Sequence, residues 1–85
     1  MPTVYIVRCA DGTLYTGSTN NVEKRLHEHN TSKAGAKYTR GRRPVELVYQ
    51  ETVGSLSEAR RREAVIKRLT RTQKNKLIIA AQQDY

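Results

Sequence analysis

Val4-Tyr5-Ile6-Val7 and Leu14-Tyr15-Thr16-Gly17 are the two short segments that decide how this chain folds. The first is β-branched, aromatic and apolar at every position, the mark of a strand covered on both faces. Asp11-Gly12 then marks a hairpin turn, and the second segment returns through Thr19 as an antiparallel partner. Each strand carries one tyrosine, and the two stand ten residues apart.

Register decides whether those tyrosines can meet. A two-residue turn at Asp11-Gly12 sets Tyr5 opposite Ser18 and Arg8 opposite Tyr15, with the phenols on opposite faces. A three-residue loop, Ala10-Asp11-Gly12, with Gly12 in the left-handed conformation sets Tyr5 opposite Gly17 and Val7 opposite Tyr15. Both phenols then share a face, because side chains alternate with period two. Gly17 would leave open backbone beneath Tyr5. The three-residue loop is the reading adopted.

The remaining elements follow from caps and periodicity. Asn20 with Glu23 resembles a capping arrangement and predicts a helix from about 21 to 30. The stretch from Thr31 to Pro44 is rich in Gly, Lys and Arg with little periodicity, and reads mostly as an ordered basic loop. Val45, Leu47 and Tyr49 alternate with Glu46 and Val48 as a third strand. Ser55 with Glu58 opens a helix running to about Leu69, and Thr70 with Gln73 opens a last one over Arg71 to about Gln82. The order is strand, strand, helix, strand, helix, helix. This is an α+β fold, a three-stranded antiparallel sheet flanked by helices, read as one domain over residues 1–85.

Charge narrows the partner. The 85 residues carry a net charge of +8, and every charge from Lys33 to Arg43 is positive. A second basic stretch runs from Arg60 to Lys76. Such a balance points to a polyanion, nucleic acid above all. A basic membrane-binding helix would pair that charge with exposed large aromatics, and none does so. The single cysteine, Cys9, permits no internal disulfide, and the apolar run Val4–Val7 is too short for a signal peptide or a span. The expected location is the reducing cytoplasm.

Four kinds of side chain could do chemistry. Arg25 and His29, four apart, stack on one helix face; as isolated residues they would read as ordinary polar surface. His27 and His29 are two apart and cannot face the same way, so zinc is disfavoured. Positions 56, 59, 63 and 66 form one helical stripe of Leu, Ala, Glu and Ile. A carboxylate there is partly desolvated and needs a positive partner. Either an ion pair with Arg60 or Lys67, or a bound magnesium ion, would answer that need. Magnesium keeps most of its waters and needs only one or two carboxylates, whereas a two-metal centre would need several acidic ligands that this chain lacks. Tyr5 and Tyr15 would usually be packing residues. A phenol titrates near 10 and acts as a base only where a cation or hydrogen bond stabilises its ionised form.

Taken together, Thr3-Val4-Tyr5, Tyr15-Thr16-Gly17, Arg25, His29 and Glu63 within Arg61-Arg62-Glu63-Ala64-Val65-Ile66-Lys67 resemble the GIY-YIG nuclease superfamily, and its small standalone bacterial members in particular. The segment Gly35-Ala36-Lys37-Tyr38-Thr39-Arg40 is similar to those small proteins as well, and the likeness covers Thr3 to about Ile78. Thr3 and Thr16 depart from the family signature at positions that supply no chemistry. Larger relatives attach a DNA-targeting domain, which these residues do not include.

The resemblance implies hydrolysis of DNA phosphodiesters, of low sequence specificity and structure- or repair-related, with one Mg²⁺ or Mn²⁺. Tyr15, or Tyr5, would activate water directly or through His29. Arg25 would stabilise phosphoryl charge, and Glu63 would hold the ion. Lys33, Lys37, Arg40, Arg42, Arg43, Arg61, Lys67 and Arg71 would grip flanking phosphates. Two alternatives stand beside it, a non-catalytic nucleic-acid-binding module with the nuclease fold and an RNA-associated structural protein. Glu63 argues against both, since a carboxylate beside a phosphate backbone repels it.

Overall fold

A computed structural model describes residues 1–31 and 37–82 of the chain. Strand β1 (Thr3–Arg8) lies at the centre of the sheet, flanked by β2 (Leu14–Thr19) and β3 (Glu46–Thr52), both antiparallel to it. The helices are α1 (Val22–Thr31), α2 (Lys37–Arg40), α3 (Leu56–Arg68) and α4 (Arg71–Gln82).

The central strand is buried on both sides, as its uninterrupted apolar run requires. Val4 and Ile6 pack with Val48 and with Ala59, Ile66 and Ile78 from α3 and α4. Tyr5 and Val7 pack on the other face with Cys9 and Val45, and Tyr15, Leu26 and Leu47 press against them. The molecule is therefore an α3/α4 layer, a sheet, and an α1 layer.

The hairpin closes through the three-residue loop. Gly12 sits at φ 84°, its amide donates to the Cys9 carbonyl at 2.9 Å, and Tyr5 faces Gly17 while Val7 faces Tyr15. Asp11 braces the loop by accepting from the Thr13 amide and hydroxyl.

Three expectations are corrected. Asn21, not Asn20, caps α1, its side-chain oxygen accepting from the Lys24 amide at 3.1 Å; the helix begins one residue later than read, and the oxygen must reach two or three residues ahead. The reading of 31 to 44 as mostly loop gives way over Lys37–Arg40, where α2 folds with Thr39 buried. Arg42 secures that turn: its amide donates to the Thr39 carbonyl, its guanidinium to the Tyr38 carbonyl. Third, the alternation in β3 is broken. The register slips between Ile6 and Val7, so Tyr49 pairs with Ile6 and Leu47 with Val7. The bulge at Val48 sends Tyr49 to the α3/α4 face and leaves Leu47 on the α1 face.

The last two helices start as read. Ser55 caps α3 by accepting from the Glu58 amide. Thr70 and Gln73 bond each other's amides at the head of α4. The α3 stripe is apolar only in part: Ala59 and Ile66 are buried, whereas Leu56 is 59 % exposed. Among the described residues, no helix is long and apolar enough to cross a membrane.

Candidate active site

The hairpin register brings Tyr5 and Tyr15 to one face of the sheet, and α1 crosses that face. The four-residue spacing of Arg25 and His29 sends both side chains down onto the phenols. His29 is fully buried. Its Nε2 lies 2.8 Å from the Tyr5 hydroxyl and its Nδ1 2.9 Å from the Thr39 hydroxyl. Both tyrosine rings meet the imidazole edge to face, with centroids at 5.8 Å for Tyr5 and 5.4 Å for Tyr15. Gly17 makes room for this: a Cβ there would lie 2.6 Å from the Tyr5 hydroxyl oxygen.

Arg25 reaches the same point from one turn earlier. It pairs with Glu28 at 3.1 Å, and its positive charge is felt at the Tyr5 hydroxyl. Burial pushes the Tyr5 phenol above its ordinary value, and the Arg25 guanidinium opposes that without cancelling it. Burial, aided by the Arg25 charge, holds the His29 imidazole below its usual value, so the ring is neutral. Tyr15 is placed differently. It is only half buried, and its hydroxyl has no hydrogen-bond partner among the described residues. Its ring stacks on Tyr38 at 5.7 Å, and Arg42 lies 4.1 Å from the Tyr38 ring centre.

Glu63 arrives from the opposite layer. Because β2 is an edge strand, α3 can hang a side chain at its rim, and Ser18 is where the two meet. The Ser18 hydroxyl donates to Glu63 Oε1 at 2.8 Å, and Lys67 Nζ stands 2.7 Å from Oε2. Burial works to raise the Glu63 pKa, but Lys67 and Ser18 outweigh it and hold the carboxyl below its usual range. The side chain is 23 % exposed. Its charge is felt at Tyr5, and that of Lys67 at Tyr15.

This donor set fits one hard cation and not two. Glu63 is ionised, oriented by Ser18 and open to solvent, and a carboxylate offers more acceptor sites than its two present partners use. Lys67, the partner on the other carboxylate oxygen, is 52 % exposed. Among the described residues, no group of three or more His, Cys, Asp or Glu could hold a metal ion.

The basic residues divide. Lys33 lies outside the described residues. Lys37 and Arg40 are exposed on α2. Arg42 pairs with Asp11 at 3.0 Å, and Arg43 donates to the His29 and Glu28 carbonyls, closing the end of α1. Arg71 donates to the Gly12 carbonyl and, with Lys74, Thr13, Leu14 and Tyr38, lines a cavity of about 230 Å³. Arg61 stands two residues before Glu63 on α3 and so faces away from it, beside Val53, Glu58 and Val65.

Ser18, Tyr38 and Thr39 join the site without having been singled out individually. Tyr38 and Thr39 fall in the segment whose likeness to the small GIY-YIG proteins was already visible. Ser18 follows Gly17 directly, and nothing in one sequence ties it to a glutamate 45 residues away.

The GIY-YIG catalytic domain family matches residues 1–77. A UPF0213 protein of Desulfotalea psychrophila is 56 % identical over 82 residues, covering 96 % of this chain and 74 % of the relative. One of Staphylococcus haemolyticus is 61 % identical over 75 residues, covering 88 % of this chain and 90 % of the relative. The solution structure of the UPF0213 protein BH0048 of Bacillus halodurans superposes with a TM-score of 0.60 at 44 % identity, covering 94 % of this chain and 85 % of that one. That of EF2693 from E. faecalis gives 0.64 at 42 %, covering 98 % and 88 %.

Proposed function

Because this chain belongs to the GIY-YIG catalytic domain family, we propose that it is an endonuclease that hydrolyses DNA phosphodiester bonds with low sequence specificity, on substrates of the structured or damaged kind met in repair. One observation carries the reading. Two phenols, a guanidinium and an imidazole from β1, β2 and α1 converge on one face, beside an ionised, solvent-open carboxylate from α3.

Tyr15 is the phenol with access to solvent, and it takes the proton of the attacking water. The water oxygen bonds to phosphorus as the bond to the leaving oxygen breaks. Arg25, permanently charged and planar, stabilises the charge gathering on the phosphoryl oxygens. Tyr5 and His29, bonded to each other, form the buried floor beside it. Glu63, oriented by Ser18, would hold one Mg²⁺ or Mn²⁺, and the ion would supply Lewis-acid stabilisation of the charge that develops on the phosphate. Lys37, Arg40, Lys67 and Arg71 contact neighbouring phosphates, which positions the strand without reading its sequence; Lys33, Arg42, Arg43 and Arg61 complete the proposed basic surface.

A second reading has one observation in its favour. Lys67 neutralises Glu63 at 2.7 Å, as a non-catalytic nucleic-acid-binding module would require. Cleavage of plasmid and branched DNA, with and without Mg²⁺ or Mn²⁺, separates the two. Tyr15→Phe, Arg25→Ala and Glu63→Gln should each bind DNA near wild-type strength and lose about 10²–10⁴-fold in cutting rate. Wild-type protein that binds yet cuts in neither metal would hand the case to the binding module.

A further inference from the structure

His29 stands between two hydroxyls, and both of its ring nitrogens are engaged. Nε2 lies 2.8 Å from the Tyr5 oxygen and Nδ1 2.9 Å from the Thr39 oxygen. Neither His29 nor Thr39 has any exposed surface, so water cannot stand in for either partner. A hydroxyl both donates and accepts, and the two distances alone leave open which nitrogen carries the proton.

The Tyr5 hydroxyl removes that ambiguity. Tyr5 is 3 % exposed, and among the described residues His29 Nε2 is the one hydrogen-bond partner of its hydroxyl. Were that oxygen to accept from an Nε2–H, its own proton would be left without a partner in a buried site. The Tyr5 proton points instead at Nε2. A neutral ring with a bare Nε2 carries its proton on Nδ1, and that proton meets the Thr39 oxygen.

We infer that Thr39 is a positioning residue: by accepting the Nδ1 proton of His29 it fixes the tautomer whose bare Nε2 takes the Tyr5 hydroxyl. The chain of bonds runs Tyr5 to His29 to Thr39, each donating to the next. It also accounts for α2, a four-residue helix that delivers one fully buried side chain, Thr39, to the far side of the imidazole. The direction of these bonds stands by itself. Its consequence for cutting rests on the nuclease reading above.

Long-range ¹H–¹⁵N spectra of the imidazole test the inference without DNA or metal. Wild-type His29 should show a protonated Nδ1 and a bare Nε2. Thr39→Val, which keeps the shape and loses the hydroxyl, should move the ring toward the Nε2–H form, and Thr39→Ser should restore the wild-type pattern. In cleavage assays Thr39→Val should lose about 10–100-fold in kcat with DNA affinity unchanged, by analogy with partners that orient a ligating histidine, and Thr39→Ser should recover most of it. A wild-type spectrum with the proton on Nε2 overturns the inference. So does a Thr39→Val spectrum identical to wild type. If Thr39→Val does not fold, the wild-type and Thr39→Ser spectra decide. The expected tautomer in a protein that never cuts DNA would uphold Thr39 while sinking the nuclease.

Discussion

Gly17 and Lys67 border the candidate site, and each constrains a neighbour that does chemistry. A Cβ on Gly17 would fall 2.6 Å from a hydroxyl that His29 already holds. Gly17→Ala should therefore displace Tyr5 and destabilise the fold by about 1–3 kcal/mol, the usual penalty of overpacking, measured as a lower midpoint in urea. An unchanged midpoint would mean the ring has room to move. Lys67 competes with any cation at Glu63. An i,i+4 ion pair on an exposed helix face is worth about 0.3–0.5 kcal/mol, so Lys67→Met should tighten Mn²⁺ binding by about twofold or more in calorimetric titration without DNA. Weaker binding would show that Lys67 helps to build the ion site. Both residues were legible as types, a glycine opposite a tyrosine and a lysine one turn after a glutamate. That Ser18 holds the other carboxylate oxygen was not, since it depends on an edge strand meeting a helix from another part of the chain.

At the scale of elements, the caps and the hairpin loop were readable because their chemistry lies within a few residues, as with Ser55 and Glu58 or the left-handed Gly12. The β3 bulge and α2 were not. Val48 and Tyr49 are both apolar enough to face inward, so alternation could not show where the register slips. Helix α2 is too short to be stable alone and exists because Thr39 and Arg42 find partners in α1 and the hairpin. Its exposed face carries Lys37 and Arg40. Replacing both with alanine should reduce the salt slope of DNA affinity by about 2, one unit per lost phosphate contact. A slope that does not change would place α2 away from the backbone. Arg42 and Arg43 differ, because their guanidinium groups already close the hairpin and α1, and their loss acts on folding as well as on binding.

For the molecule as a whole, the buried neutral histidine sets an acid limit. His29 is held below its ordinary value of 6.5 by burial and by Arg25, so the unfolded chain takes up a proton that the native state refuses. Stability is lost as pH falls below about 6.5 toward the folded value, ahead of Glu63 and Asp11, whose lowered carboxyls act only below about 4.5 and 3.8. Melting temperatures between about pH 7 and 5 should fall in wild type and stay nearly level in His29→Gln. Parallel curves would remove His29 as the cause. What the amino-acid order determined unaided was the sheet, the face shared by Tyr5 and Tyr15, the main helices and the basic charge, because turn chemistry, period-two burial and caps act over a few neighbouring residues. Only tertiary structure decided that His29 is sealed between two hydroxyls, that Tyr15 rather than Tyr5 is open to solvent, and that Glu63 sits at the sheet rim. Those facts depend on which distant surfaces meet, and surfaces meet through packing of the assembled layers, which no local pattern encodes.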